Sequence, residues 1–298
     1  MLSIEDFSPV TLASQEQFKT HFKKYPPVHS DYVFSTMVAW NEYAHYEYII
    51  MDNALFIKTT VDGIIQFRPP IGFYDKNIYN QFFKLVKNEG SDYPISLITE
   101  DVKQWINTNY KETSFTAQPE YSDYVYLTKD LAHLNGSDFR KIRNRLNKFI
   151  KNYEYETVSI SEDIISEVKQ FLKRWCIWRD CEGDPLLDYE RKAIIFSTDN
   201  FTDLGLSGVA VRVNNRIEAV SIFEQMNHNT VVVHFEKGSP DYDGIYKLIN
   251  KEVASIVEKD FTYINRESDM GNPGLRKAKK SYRPDHMINV YKIDKNSI

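Results

Sequence analysis

The chain has 298 residues, 42% hydrophobic and 27% charged, with a formal net charge of −5. That length is comfortable for two domains, each able to bury a core, and the acidic balance excludes a wholesale nucleic-acid coat, so a polyanion would have to meet a local patch. No run approaches the roughly 18 apolar residues of a membrane helix, and MLSIEDFSPV lacks the pattern of a signal peptide, so the expectation is a cytoplasmic protein without a transmembrane segment.

In chain order, helical stretches near 14–23 and 29–44 precede three strand-like runs, EYIIMD, ALFIKTT and IIQF. A helix at 77–89, a strand ISLI, a helix DVKQWINTNY and a strand YVYL follow. Next comes NGSDFRKIRNRLNKFIKNY (135–153), whose Phe139, Ile142, Leu146, Phe149, Ile150 and Tyr153 fall on one arc of a helical wheel. Arg140, Lys141, Arg143, Arg145, Lys148 and Lys151 fill the rest, with no acid from 139 to 151. A solvated face and a polyanion-binding face are both open readings of this helix.

The second half is more regular. Apolar spacing predicts helices over 161–180 and 186–199. The strand SGVAVRV turns through Asn214 and Asn215 into RIEAVSIFEQ, which turns through MNHN into TVVVHFEKG. Ile245, Leu248, Ile249, Val253, Ile256 and Val257 give the apolar face of a further helix, followed by strands FTYINRE and MINVYKI. The two cysteines, Cys176 and Cys181, read as reduced core thiols, without a disulfide framework or a metal knuckle.

The halves repeat one order of elements: helices, three antiparallel strands, a helix, a strand, a helix and a strand. This order resembles the GNAT, or N-acetyltransferase, fold. It predicts an α+β chain with mixed sheets, made of two tandem GNAT-like (acyl-CoA N-acyltransferase-like) domains at 1–134 and 154–298, joined by a basic linker helix at 135–153.

The sequence contains no H-E-x-x-H, no Cys/His cluster, no G-x-S-x-G and no Walker loop. Neither a metal nor a cofactor is therefore assigned. HFEKGSPDYDGIYKL (234–248) occupies the slot where the GNAT fold cradles a pyrophosphate, but lacks the Q/R-x-x-G-x-G/A turn. Its Asp241 and Asp243 would repel a pyrophosphate. His234 and Glu236 are placed with Val232 on one face of their strand, with Glu236 at the strand end as a candidate base.

INRESDMGNPGLRKAKKSYRP (264–284) holds six basic residues against Glu267 and Asp269. Asn272 suits an N-cap and Pro273 a first helical turn. The wheel gives Leu275, Ala278 and Tyr282 as the apolar face, with Lys279 inward and Arg276 and Lys280 flanking it. An inward lysine needs an anion, either a carboxylate of the protein or a substrate phosphate. Glu267 and Asp269 either pair with Lys279 and Arg276 or hold a substrate ammonium.

This stretch resembles the signature of the lysylphosphatidylglycerol synthase C-terminal domain family: a strand ending in N-R/W-E, then x-D-φ-G, then G-L-R-K-x-K-x-S-Y/F-x-P. Asn265, Glu267, Asp269, Gly271, Gly274, Leu275, Arg276, Lys277, Lys279, Ser281, Tyr282 and Pro284 match it. The basic helix resembles the family's K-x-R-N-x-L-N-x-F at Arg143, Asn144, Leu146, Asn147 and Phe149. The resemblance implies a soluble, stand-alone relative of the Fem-type aminoacyl transferases. Such a protein passes an aminoacyl group from an aminoacyl-tRNA to an amine or hydroxyl of a small molecule, peptide or lipid headgroup. The lipid-modifying enzymes carry a long N-terminal membrane region that this sequence lacks, which puts a lipid acceptor and a lysyl donor in question.

The candidate catalytic residues are Glu236, Lys279 and Arg276. Substrate contacts are assigned to Glu267, Asp269, Asn265, Tyr282 and His234. Nucleic-acid contacts are assigned to Arg140, Lys141, Arg143, Arg145, Lys148 and Lys280. Two other readings stay open: an N-acyltransferase using an acyl-CoA or another thioester, and a non-catalytic binding protein on the same fold.

Overall fold

A computed structural model describes residues 2–89 and 91–298. By contacts the chain divides into two units. Unit 1 comprises Met1–Asp123, Ser268–Gly271 and Ile288–Ile298, and unit 2 comprises Tyr124–Glu267 and Asn272–Met287.

The first elements are β1 (Ser8–Pro9), α1 (Gln15–Lys24), α2 (Phe34–Ala39), α3 (Asn41–Ala44), β2 (Glu47–Met51), β3 (Ala54–Val61) and β4 (Ile64–Phe67). They are followed by α4 (Lys76–Glu89), β5 (Ile95–Thr99), α5 (Glu100–Asn109) and β6 (Phe115–Ala117). Next come β7 (Asp123–Leu127), α6 (Thr128–His133), α7 (Arg140–Asn152), β8 (Tyr155–Ser159), α8 (Ile165–Arg179), α9 (Pro185–Asp199) and α10 (Phe201–Leu204). The chain ends with β9 (Ser207–Val213), β10 (Arg216–Gln225), β11 (Thr230–Gly238), α11 (Ile245–Val257), β12 (Tyr263–Asn265), α12 (Pro273–Ser281), β13 (His286–Ile288) and β14 (Val290–Ile293).

Among the described residues these strands form two seven-stranded mixed sheets, ordered β1-β2-β3-β4-β5-β14-β6 and β8-β9-β10-β11-β12-β7-β13. The plan is the same in both. Two-residue turns at Asp52-Asn53, Asp62-Gly63 and Asn214-Asn215 have positive φ at both positions (52° and 60°, 50° and 77°, 51° and 61°). That is the geometry whose twist matches antiparallel strands, and Asn, Asp and Gly reach it most easily. Each sheet then holds a parallel pair, β4–β5 or β11–β12, with α4 or α11 as the crossover. Beside each pair lies an antiparallel strand, β14 on β5 and β7 on β12.

The boundaries differ from the sequence expectation of 1–134, 135–153 and 154–298. The division falls at Asp123/Tyr124, and β14 returns to unit 1. The position beside each parallel pair is filled by a strand that follows the other unit in the chain, a pairing that linear element order cannot reveal. The basic helix α7 is also more than a link. Its Ile142, Leu146 and Phe149 share one core with Ile245, Leu248, Ile249 and Val253 of α11. Unit 1 has its own core, in which Tyr79, Phe82 and Val86 of α4 meet Phe56, Phe67, Ile95 and Ile98. Strands β1, β6 and β8 were not foreseen, because they are short or half-exposed and carry no apolar alternation.

Cys176 and Cys181 form a disulfide, which corrects the expectation of reduced thiols. Helix α8 ends at Arg179, and Asp180 takes a left-handed φ of 51°. That turn folds the chain back and brings the two Cα atoms within 5.1 Å, inside the range a disulfide spans.

Candidate functional site

The site is built around the parallel pair β11–β12 of unit 2. On β11 the register against β10 slips between Phe235↔Ile222 and Val233↔Phe223, leaving His234 as an extra residue. A bulge shifts the alternation of every residue beyond it. Val231 and Val233 belong to the core that includes α11, and beyond the bulge it is Glu236, not Phe235, that meets Asn250 of α11. His234 and Glu236 therefore do not share a face, contrary to the alternation expected from the sequence. They enter two different side-chain groups.

The first group is Glu224, His234 and Glu267. His234 Nε2 lies 2.8 Å from Glu224 Oε1, and Nδ1 lies 2.9 Å from Glu267 Oε1. The histidine side chain is only 6% exposed, whereas Glu267 is 30% exposed. Burial alone would lower the imidazole pKa, but the two carboxylate hydrogen bonds more than offset it and raise it to about 10. The ring is thus an imidazolium bridging two carboxylates, and the group carries one net negative charge. The carboxylates bind opposite ring nitrogens, so they do not converge as metal ligands would. Because the folded pKa lies above the usual 6.5, the linked stability is complete below about pH 6.5 and is lost as pH rises through about 10. The difference in melting temperature between wild type and His234→Gln is therefore expected to be constant from pH 5 to 6.5 and to shrink steadily toward pH 10. A difference that does not change with pH would contradict the bridged imidazolium.

Glu267 is held in place by its backbone. Its φ is 57°, unusual for a residue other than glycine. Asn265 Oδ1 accepts from Glu267 N at 2.7 Å. Lys279, 8% exposed, donates from Nζ to the carbonyls of Arg266 and Glu267. Asn265 is fully buried, so it acts here on the backbone. Lys279 lies inward, as the wheel placed it, with the end of β12 as its acceptor. The expected apolar face holds at Tyr282, which is 3% exposed, and is corrected at Leu275, 40% exposed, and at Ala278, which is exposed, so α12 buries Lys279 and Tyr282 instead. Arg276 is half-buried on the same helix. Asn272 caps α12 through Gly274 N and Leu275 N. Asp269 groups with unit 1, where it is fully buried and accepts from Gly271 N at 2.9 Å.

Unit 1 repeats this backbone device. Leu97 occupies the place of Glu267, two residues past the last parallel-paired residue, and also has a φ of 57°. Its N–H again donates to a side-chain amide oxygen, Gln118 Oε1 at 3.1 Å, and its carbonyl again accepts, from Tyr32 OH at 2.5 Å. The side chain presented there is a buried leucine rather than a carboxylate.

The second group is centred on Arg266, which pairs with Glu236 at 2.7 Å. Asn250 lies against the same pair, with its side-chain oxygen accepting from the Arg266 guanidinium at 2.9 Å. Tyr282 is buried, and its ring faces both Arg266 (5.1 Å) and Lys247 (4.6 Å). Held by Arg266 and 10% exposed, Glu236 serves a charge pair rather than an open site. Desolvation, reinforced by the nearby Arg266, lowers the Lys247 pKa to about 8.

The basic residues expected to meet a nucleic acid separate by partner. Arg143 donates to the carbonyls of Leu134 and Gly136 and so fastens the loop before α7. Lys148 pairs with Asp243 at 3.1 Å, a contact between exposed groups. Arg140, Lys141, Arg145 and Lys280 are exposed. Arg283 Nε lies 3.7 Å from Asp138, which places the end of α12 beside the start of α7.

Sequence reasoning missed Glu224, Lys247, Asn250 and the pairing role of Arg266. A signal for two of them existed on α11. Lys247 and Asn250 lie three residues apart at the border of its apolar arc, and Asn250 is 3% exposed while the apolar Ile256 is 49% exposed.

Comparison with known proteins agrees with this architecture. Residues 22–293 match the family described as phosphatidylglycerol lysyltransferase, C-terminal. A conserved protein of unknown function from Bacteroides thetaiotaomicron is 31% identical, with 97% of this chain and 98% of that one covered and a TM-score of 0.90. L-PGS from Bacillus licheniformis shares the fold at 13% identity and a TM-score of 0.65, over 94% of this chain and 92% of that one. A tandem GNAT protein from the clavulanic acid pathway shares it at 8% identity and a TM-score of 0.51, over 97% and 98%. An uncharacterized protein of Mycoplasmoides gallisepticum is 25% identical over 194 residues, 64% of this chain. The match spans 61% of the length of that curated relative. The fold is thus a mixed α+β pair of GNAT-like units, and no helix among the described residues is long and apolar enough to cross a membrane.

Proposed function

We propose that this chain, which belongs to the phosphatidylglycerol lysyltransferase C-terminal family, is an aminoacyl transferase that moves an aminoacyl group from an aminoacyl-tRNA to an amine or hydroxyl acceptor. The observation that carries the reading is the Glu224–His234–Glu267 group. It combines one net negative charge with a part-exposed carboxylate fixed by strained backbone. That is a seat for the α-ammonium of an aminoacyl ester.

The chemistry asks little more of the protein. The ester is already activated, so no enzyme nucleophile is required. The acceptor nitrogen or oxygen attacks the carbonyl carbon, an oxyanion forms, and the ester C–O bond then breaks. The ribose oxygen leaves as a hydroxyl, taking up a proton as the acceptor gives one up. In this reading Glu267 and Glu224 fix the ammonium, His234 holds both carboxylates in position, and Lys279 and Asn265 maintain the backbone turn that presents Glu267. Arg276, half-buried about one turn before Lys279 on α12, is the cation assigned to the oxyanion. The exposed cations of α7 supply phosphate contacts whose strength falls with salt.

Binding of charged and uncharged tRNA across a salt series tests this. Both forms are expected to bind with a steep salt dependence, and the charged form more tightly because only it carries the ammonium. An absence of binding at low salt, or a rise in melting temperature with acyl-CoA alone, would overturn the donor assignment.

A further inference from the structure

Lys247 is a half-buried ammonium that no group of the site satisfies. It lies 4.6 Å over the ring of Tyr282, and among the described residues no hydrogen bond or ion pair reaches it. Glu236, the carboxylate near it, is already bonded to Arg266 at 2.7 Å. The other charges facing it are cations, Arg266 after β12 and Arg145 of α7. Arg145 is exposed and likewise has no carboxylate partner among the described residues.

The closeness of α7 to the start of α11 is built into the backbone. Gly244 has a φ of 104°, and a Cβ there would lie 2.6 Å from the carbonyl oxygen of Arg145. Only glycine accepts both conditions. Lowering of the Lys247 pKa to about 8, by desolvation and then by Arg266, is the electrostatic sign of the same crowding. An anion seated between Lys247 and Arg145 would relieve it.

We infer that Lys247 and Arg145 hold one phosphodiester of an RNA strand, which continues over the exposed cations of α7. The inference rests on the proposed aminoacyl-tRNA reading and adds to it the place where the donor strand is gripped. A strand fits better than a single lipid headgroup because the cations extend past the pocket. Lys141, Arg145 and Lys148 share one helix face, spaced by about one turn, roughly 5.4 Å, which is close to the step between neighbouring phosphates. Arg140 and Lys151 stand exposed on the adjoining face without an ion-pair partner among the described residues. Of the two carboxylates in the loop before α11, Asp243 is met by Lys148 of this row.

The test uses the full chain, an uncharged acceptor-stem minihelix RNA and a salt series. Lys247→Gln is expected to bind the minihelix about tenfold more weakly, with a salt slope smaller by about 0.7 for one lost single-strand phosphate contact. Lys247→Arg is expected to restore both, and inorganic phosphate to raise the Lys247 pKa, read by NMR of the methylated lysine. If Lys247→Gln melts like wild type yet keeps wild-type affinity and slope, the inference is overturned while the transfer reading stands, because the wild type still binds RNA. If the wild type ignores the minihelix and instead binds phosphatidylglycerol vesicles in a Lys247-dependent way, the inference and the donor assignment fall together.

Discussion

Replacing Arg68 by Ala is expected to cost unit 1 about 3–5 kcal/mol of unfolding free energy, measured by denaturant unfolding. The side chain of Arg68 is 8% exposed, with Nε 2.7 Å from Asp31 Oδ2 and NH1 2.7 Å from Ser96 Oγ. Tyr46 OH donates to the other oxygen of Asp31 at 2.7 Å. Removing the guanidinium leaves a largely buried carboxylate with a neutral donor alone, while Ser96 loses one of two partners and keeps Gln66. Burial opposes the charge of Asp31, and Arg68 more than offsets it, holding the carboxyl below its usual range. A depressed folded pKa gives stability that is present above the unfolded value, 3.8, and lost as pH falls through the folded value. The defect of Arg68→Ala should therefore be full near neutrality and smaller in acid. Pairing it with Asp31→Leu should recover most of the loss, since the cost lies in the orphaned charge more than in the missing bond. A loss under 1 kcal/mol at neutral pH, in a range typical of exposed pairs, would contradict this account.

The same contrast between local and long-range causes explains what could be read from the residues in order. The meander of unit 2 was legible because β9, β10 and β11 alternate or run apolar, and because Asn214-Asn215 is a turn that needs positive φ twice. The cap on α12 was legible because Asn272 and Pro273 act within one turn. The placement of β7 and β14 was not, since a strand of four or five residues carries no mark of which sheet it will join. Neither was the bulge at His234, whose lack of a cross-strand partner breaks the alternation with Glu236 and sends the two to different partners. The α12 wheel misled for a related reason. Apolar count assigned Leu275 and Ala278 to the buried side, but two backbone carbonyls at the end of β12 required a cation, and Lys279 supplies it. Polar satisfaction of a strained turn outweighed the burial of a leucine, which is worth at most about 3 kcal/mol.

The second large effect is expected at Glu267. Glu267→Gln keeps the size of the side chain and its ability to accept from His234, while Glu224 remains to hold the imidazolium. Stability should fall by the part of the imidazolium bridge that Glu267 supplies, with the fold retained through Glu224. The lost quantity is the negative charge offered to the substrate ammonium. A hydrogen bond to a charged group contributes about 1.5–3 kcal/mol, so kcat/KM for aminoacyl transfer should fall roughly 10- to 100-fold. The loss should appear with charged RNA only. Affinity for uncharged RNA should be unchanged, because phosphate contacts do not pass through this residue, and the preference for charged over uncharged RNA should disappear. Equal transfer by wild type and Glu267→Gln would remove the ammonium seat from Glu267. Unit 1 makes the comparison sharper. Its left-handed turn carries Leu97 in the same place, held by the same kind of amide and carbonyl contacts. The strained backbone is therefore common to both units, and the carboxylate alone distinguishes the one assigned the chemistry.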